Sequence, residues 1–171
     1  MDKQHYNAIL RCKRLVGNQR IQGSMYSELQ FEENEKVFVT SAYRSYEYQQ
    51  TLFEKYILTE MAEKGISREE AEAIVSATSA REGESEHQSG LCVDFIQNGK
   101  LELENSFEKT RAFEWLTKNA HKYGFILRYP KNKEEITGYT YEPWHFRYVG
   151  IDAATVIYED NICLEEYLAK Y

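Results

Sequence analysis

Ser85-Glu86-His87-Gln88-Ser89-Gly90-Leu91-Cys92-Val93-Asp94-Phe95-Ile96 is the stretch that decides how this chain is read, because it runs from a loop into the middle of a sheet. Residues 79 to 90 are rich in Ser, Glu and Gly, the composition of a loop. Leu91 to Ile96 is apolar and reads as a central strand. With Gly90 between them, His87 approaches from the loop and Asp94 from the strand, an arrangement that suits a loop-to-strand transition rather than one helix face. Cys92, flanked by Leu91 and Val93, reads as a small buried thiol packed in that strand.

Outward from this segment the elements can be placed in order. Val37 to Thr40 forms a β-branched and aromatic strand that delivers Ser41-Ala42-Tyr43-Arg44 to its end. Ser45 caps a helix from about Tyr46 to Glu63, with Tyr48, Leu52, Tyr56 and Met61 as its apolar positions. Ser67-Arg68-Glu69-Glu70 has the form of a capping box, which predicts a second helix over about Arg68 to Ala77. Asn98-Gly99 is a tight-turn signal after the central strand. A further helix, about Glu108 to Lys122, carries Phe113, Leu116 and Ala120 on one face and stops at Gly124. Phe125-Ile126-Leu127 and Trp144 to Val149 are the remaining strands, separated by the polar stretch Lys131 to Gly138. Helices around Asp152 to Tyr158 and Leu164 to Lys170 finish the chain.

Strands and helices do not alternate in a βαβ rhythm, so the expected class is α+β, a small and mostly antiparallel sheet flanked by helices. Two prolines, nine glycines and no internal repeat give no linker, and residues 1–171 are expected to form a single domain.

Composition narrows the function classes. The chain has 42% hydrophobic and 29% charged residues, ordinary for a globular protein. A net charge of -7 works against a nucleic-acid partner, which calls for concentrated Lys and Arg. The basic run Arg11-Cys12-Lys13-Arg14 is too short for that role and reads as a solvated helix face. Cys12, Cys92 and Cys163 lie far apart without CxxC spacing, so neither a cysteine-rich metal site nor a disulfide framework is indicated. No uncharged run is long enough to cross a bilayer, and no cationic segment followed by an apolar stretch opens the chain. The expectation is a cytoplasmic protein, or an envelope protein whose leader has been removed, with no membrane span in this chain and with its oligomeric state open.

The chemistry-bearing residues are His87, Asp94, Glu142 and His145. Two imidazoles and one carboxylate are a ligand set that holds zinc at three positions and leaves the fourth open, the mark of a catalytic rather than a structural ion. Glu142 and His145 are three residues apart, and Pro143 between them disfavours a regular helix. In a turned segment one of the pair can ligate while the other faces the open position. His87, Asp94 and His145 are therefore the candidate ligands of one Zn2+ ion, and Glu142 the candidate general base. His5 and His121, without organised partners, read as ordinary surface histidines.

These residues resemble the VanY-type D-alanyl-D-alanine carboxypeptidases, zinc peptidases that trim peptidoglycan stem peptides. The family pattern Ser-x-His, Gly, then Asp is met by Ser85, His87, Gly90 and Asp94, and its Glu-x-x-His by Glu142 and His145. Ser41-Ala42-Tyr43-Arg44-Ser45 is similar to the family's Ser-Gly-Tyr-Arg segment, with Ala42 in place of the glycine. Phe125 to Pro130, Glu142 to Gly150 and Leu164 to Leu168 also look like family sequence, so the likeness covers about residue 37 to the C-terminus. Cys92 stands where a small alanine is common, and Glu82-Gly83 replaces the usual Pro-Gly. The resemblance implies a substrate that is a peptidoglycan stem peptide or precursor ending in D-Ala, and a link to vancomycin-type glycopeptide resistance. It implies substrate contacts at Arg44, Gln49 and Ser85, with Arg44 also in the catalytic apparatus. Arg offers planar, paired donors for a terminal carboxylate or a polarised carbonyl oxygen, and Arg44 precedes a helix whose N-terminal amides add positive potential.

Several readings stay open at this stage. The same metal site serves an L,D-carboxypeptidase or a D,D-dipeptidase, which differ in pocket depth. An endopeptidase needs a groove open at both ends, and residues 64 to 84 would decide that as a lid. A non-catalytic, zinc-containing binding module is the reading from another class; a spare carboxylate at Glu142 counts against it. Glu82, Glu84 and Glu86 read as a solvated acidic loop, and Trp144, Tyr139 and Tyr141 as pocket or core.

Overall fold

The computed structural model describes residues 37–97 and 103–170. The basic run at residues 11–14, His5, Cys12, the Asn98-Gly99 turn and the single-domain boundaries below residue 37 lie outside them. Four strands form one sheet among the described residues: β1 (Val37–Ser41), β2 (Cys92–Gln97), β3 (Phe125–Leu127) and β4 (His145–Tyr148), in the order β1-β2-β4-β3 with every pair antiparallel. The helices are α1 (Tyr46–Lys64), α2 (Arg68–Ser76), α3 (Arg111–Asn119), α4 (Glu134–Thr137), α5 (Ile151–Asp160) and α6 (Leu164–Lys170). The α+β expectation with a small antiparallel sheet holds.

Side chains alternate across a strand, and β2 uses the two faces differently. Val93 and Phe95 pack with Phe146 and Phe125 against Phe107, Ala112, Trp115 and Leu116, which makes the main core. Cys92 and Asp94 point to the opposite face, so the strand that supplies the core also supplies the site. A second cluster joins α1 to α2 through Phe53, Ile57, Ala71 and Val75. A third packs α5 on β3 through Ile126, Ala154 and Ile157.

Both predicted caps form. Ser45 Oγ accepts from Tyr48 N at 3.1 Å, and Ser67 and Glu70 close a reciprocal capping box. The predicted face of α1 is displaced by one residue. Gln49, Phe53 and Ile57 are buried, whereas Tyr48 and Tyr56 are 58% and 41% exposed. Periodicity alone took the tyrosines as core, but their hydroxyls favour water, and the smaller Ala71 and Val75 of α2 select Phe53 and Ile57 as partners.

The single helix predicted over Glu108 to Lys122 is in fact three pieces. A 3-10 turn at Asn105–Lys109 ends at Thr110, whose extended backbone breaks the run and whose hydroxyl accepts from Phe113 N to start α3. A second 3-10 turn, Ala120–Tyr123, ends at Gly124 as expected. The polar stretch after β3 contains the short α4, and residues 79 to 90 contain a 3-10 turn at Glu86–Ser89.

Gly124 has φ +81°, and a Cβ there would stand 2.7 Å from the Tyr148 ring and 3.0 Å from the Gly150 backbone. Its carbonyl accepts from Val149 N at 2.8 Å, so the chain reversal also anchors the end of β4. Gly124→Ala is expected to lower stability by about 1–3 kcal/mol from left-handed strain alone, and by more from the clash. Urea unfolding of the two proteins measures it; an unchanged midpoint contradicts the assignment.

Candidate metal and active site

Asp94 and His145 are 51 residues apart in sequence and direct cross-strand partners in the β2–β4 ladder. Pairing of adjacent antiparallel strands therefore sets His145 Nδ1 at 2.9 Å from Asp94 Oδ1. His87 comes from the 3-10 turn at Glu86–Ser89, which ends at the left-handed Gly90 and drops the imidazole beside the strand, with Nε2 at 3.2 Å from Asp94 Oδ2. The other nitrogen of His87, Nδ1, donates to the Ala42 carbonyl at 2.6 Å, which fixes the ring with Nε2 turned toward Asp94. All three groups are 5% exposed or less.

In a tetrahedral zinc site with bonds of about 2.0–2.1 Å, neighbouring N or O donors stand about 3.3 Å apart. The two separations at Asp94 have that size, so the donors fit the ion the sequence suggested. Cys92 is the correction to the sequence reading. Its thiol is buried, but in the cluster with His87 and His145 rather than in the apolar core, the three ligand atoms lying within 4.8 Å of one another. Residues i and i+2 share a strand face, so placing Asp94 in the site places Cys92 there too. Burial opposes ionisation of this thiol, but the two imidazoles outweigh it and bring it down to about 7.

The remaining predicted residues gather at the same place. Glu142 lies in the turn before β4, 7% exposed, with Oε2 at 3.8 Å from His145 Nδ1. Burial pushes its carboxyl up to about 7, helped by the Asp94 charge and opposed by the cations nearby. A carboxyl poised near neutrality suits a group that takes up and returns a proton. Asp94 is the reverse case: burial raises it, but charge and hydrogen bonds from both imidazoles hold it far below the usual carboxylate range. For His87 burial opposes the charge and Asp94 wins, raising the imidazole to about 9, and His145 is raised as well.

Arg44 follows β1 and precedes α1, as expected. A bulge between Val39 and Ser41 turns the strand end so that Ser41 stands opposite Asp94. The guanidinium is then held by three groups: Nε donates to Ser41 Oγ at 3.1 Å, Nη1 to Gln49 Oε1 at 2.7 Å, and Nη2 stands 3.7 Å from Asp94 Oδ2. Gln49 is fully buried, its amide donating to the Ala80 carbonyl at 2.7 Å. Ser85 is 8% exposed and makes no side-chain capping bond to the turn it precedes.

One cavity joins these groups. Arg44, Ser85, His87, Asp94, Glu142 and His145 line it together with Tyr129, Tyr139 and Trp144. Thr78, Ser79, Ala80 and Glu84 form one wall, so the end of the 64–84 segment is part of the pocket. Tyr141 is elsewhere, with Lys131 Nζ 4.8 Å from its ring. Two lining groups escaped the sequence reading. Tyr129 stacks on Tyr139 at 4.8 Å and lies 5.1 Å from the His145 ring. Glu86, taken as a solvated acid, is largely buried and paired with Arg128 and His145. The only signal for either was position beside residues already singled out.

The model of the family described as VanY, D-alanyl-D-alanine carboxypeptidase, matches residues 23–151. The chain belongs to that family. Among curated proteins, this VanY-family chain is 46% identical over 139 residues to the putative carboxypeptidase YodJ of Bacillus subtilis (strain 168), covering 81% of this chain and 47% of that one. It spans about half the length of the first curated relatives it matches. Among solved structures, it is similar to the vancomycin-resistance D,D-pentapeptidase VanY in complex with Zn(II), at 38% identity and TM-score 0.76, covering 90% of this chain and 82% of the other. It is also similar to the LdcB LD-carboxypeptidase, at 40% identity and TM-score 0.74, covering 88% and 65%. The VanY/VanX-type zinc peptidase fold is thus the fold of this chain. Among the described residues no helix is long and apolar enough to cross a membrane.

Proposed function

We propose that this chain carries a zinc-dependent D,D-carboxypeptidase centre that removes the terminal D-Ala from peptidoglycan stem peptides or precursors at the cell envelope. The observation that carries the reading is the convergence on Asp94 of two imidazole nitrogens at donor spacing, with Glu142 and Arg44 on the same cavity. The VanY–Zn(II) structure, with the same fold, supports it.

His87 Nε2, Asp94 and His145 Nδ1 would hold the ion. Zinc supplies a Lewis acid there, which acidifies water and polarises a carbonyl. Glu142, with its carboxyl near neutrality, accepts the proton of the attacking water and returns it to the leaving amine. Arg44 presents its fork to the substrate, either at the terminal carboxylate or at the scissile carbonyl oxygen. Gln49 acts through Arg44, holding the guanidinium from behind, while Ser85 faces the cavity as a neutral polar contact. Tyr129, Tyr139 and Trp144 give the cavity an apolar wall that keeps water away from the peptide.

The decisive experiment is release of free D-Ala by zinc-loaded protein from a pentapeptide ending in D-Ala-D-Ala, from a tetrapeptide ending in a single D-Ala, and from the dipeptide D-Ala-D-Ala. Release from the pentapeptide alone is the expected result. Release from the tetrapeptide alone would replace the assignment with an L,D-carboxypeptidase, the activity named for LdcB. No release from any of them would leave the endopeptidase and binding-module readings.

Asp94 rather than Cys92 is proposed as the third donor, because its oxygens lie at ligand spacing from both imidazoles. Cobalt(II) tests this. The cobalt protein is expected to lack the intense near-ultraviolet band of thiolate-to-cobalt charge transfer. Such a band, removed by Cys92→Ser, would put the sulfur in the coordination sphere.

A further inference from the structure

His87 and His145 turn opposite nitrogens toward Asp94, so each needs a different acceptor behind it. For His87 that acceptor is the Ala42 carbonyl. For His145 the group behind Nε2 is Glu86 Oε2, at 3.4 Å. Glu86 is itself held on both oxygens. Arg128 Nε donates to Oε1 at 2.7 Å, and Arg147 Nη1 stands 3.5 Å from Oε2. Arg128 is 8% exposed and makes a two-pronged pair with Glu165 of α6, at 2.6 and 3.0 Å. A chain of charge-assisted bonds therefore runs from the C-terminal helix through Arg128 and Glu86 to the back of His145.

We propose that Glu86 is the positioning residue of the metal centre: it holds His145 as the Nε2–H tautomer with Nδ1 free for the ion, and Arg128 and Glu165 of α6 hold Glu86 in place. The inference rests on the reading of His145 as a metal donor. A ligating imidazole whose other nitrogen meets a carboxylate is oriented and made more basic, and loss of such a partner typically weakens metal binding by about 10–100-fold. Glu86 does not line up with the donors itself; its carboxylate faces the far nitrogen of the ring. A solvated acid would have no effect on the metal, and Glu86 is not one, since its side chain is 17% exposed and meets two guanidiniums.

Zinc affinity of the wild type, Glu86→Ala and Glu86→Gln, measured by competition with a chromophoric chelator, tests the proposal. Folding is checked by circular dichroism, and the His145 tautomer of the zinc-loaded protein is read from long-range proton–nitrogen correlations of the imidazole. Arg128 keeps Glu165 in both variants, so its charge stays compensated. Glu86→Ala is expected to bind zinc about 10–100-fold more weakly. Glu86→Gln, which restores a neutral acceptor, is expected to fall between it and the wild type. The zinc-loaded wild type should show a proton on Nε2 of His145 and none on Nδ1. Folded variants that bind zinc within twofold of the wild type, with the tautomer unchanged, overturn the proposal. If Glu86→Ala fails to fold, Glu86→Gln decides alone: more than a twofold loss supports it and less overturns it. Absence of zinc binding by the wild type is a distinct result, which sinks the metal reading itself.

Discussion

Glu142→Gln is expected to lose about 10²–10⁴-fold in D-Ala release while the metal-free protein becomes more stable at neutral pH. The amide keeps the size of the side chain and removes its ability to exchange a proton, so the loss falls on turnover. The stability gain has a definite sign. The Glu142 carboxyl, ordinarily near 4.5, is raised to about 7 in the folded chain by burial. A carboxyl raised on folding contributes stability fully below its unfolded value and loses that contribution as pH rises through the folded value. Between about pH 4.5 and 7 the wild type therefore gives up roughly 3 kcal/mol that Gln, which mimics the protonated acid, retains. The His145 charge, 3.8 Å away, opposes the rise and is already part of that net value. Melting temperatures of the two zinc-free proteins at pH 5 and pH 8 provide the check. They should nearly coincide at pH 5 and separate at pH 8, with Gln higher. Equal pH dependence would mean that the carboxyl is not raised, and wild-type turnover by Glu142→Gln would remove it from the mechanism.

Asp94→Asn is the second large effect, and it runs the other way. Asp94 is 1% exposed and faces both imidazoles and the Arg44 guanidinium. Removing its charge leaves these cations buried without a counter-ion, for which about 3–5 kcal/mol of destabilisation is typical. Its folded carboxyl lies below the ordinary 3.8, so its stabilisation is present above that value and lost as pH falls further; the variant should differ from the wild type at pH 7 and converge with it in strong acid. Denaturant unfolding of zinc-free protein at pH 7 and at successively lower pH into strong acid, with zinc affinity alongside, separates the two roles of the residue. Loss of zinc binding is expected. Retained zinc in Asp94→Asn together with its loss in Cys92→Ala would transfer the third-donor position to the thiol.

Much of this site was readable from the chain because its chemistry is local in sequence. Ser85 to Asp94 carries one proposed ligand on a turn and another two residues into a strand, and Glu142-Pro143-Trp144-His145 carries the proposed base and a proposed ligand on one turn. The caps at Ser45 and Ser67 were equally local, since each depends on a hydroxyl and an amide three residues away. Elements whose faces depend on distant partners were read less well. The buried side of α1 followed α2 and the Ala80 carbonyl. The Thr110 cap, though local, was missed because the apolar spacing from Phe113 onward does not mark where the helix starts.

What the sequence determined by itself was the set of candidate reacting groups, the α+β class and the loop-to-strand geometry around His87 and Asp94, because short-range spacing and strand alternation are enough to specify them. Which distant side chains meet was decided by the tertiary structure. The β2–β4 register put His145 opposite Asp94 and, by the same two-residue period, brought Cys92 into the metal cluster. Arg128, just after β3 and held by Glu165 of α6, met Glu86, turning an acid that reads as solvated into the partner of His145. Burial then moved Glu142 to about 7, while the two imidazoles overrode burial and moved Asp94 the other way, a divergence absent from two carboxylates in sequence, because only a folded interior withdraws water from one and surrounds the other with positive charge.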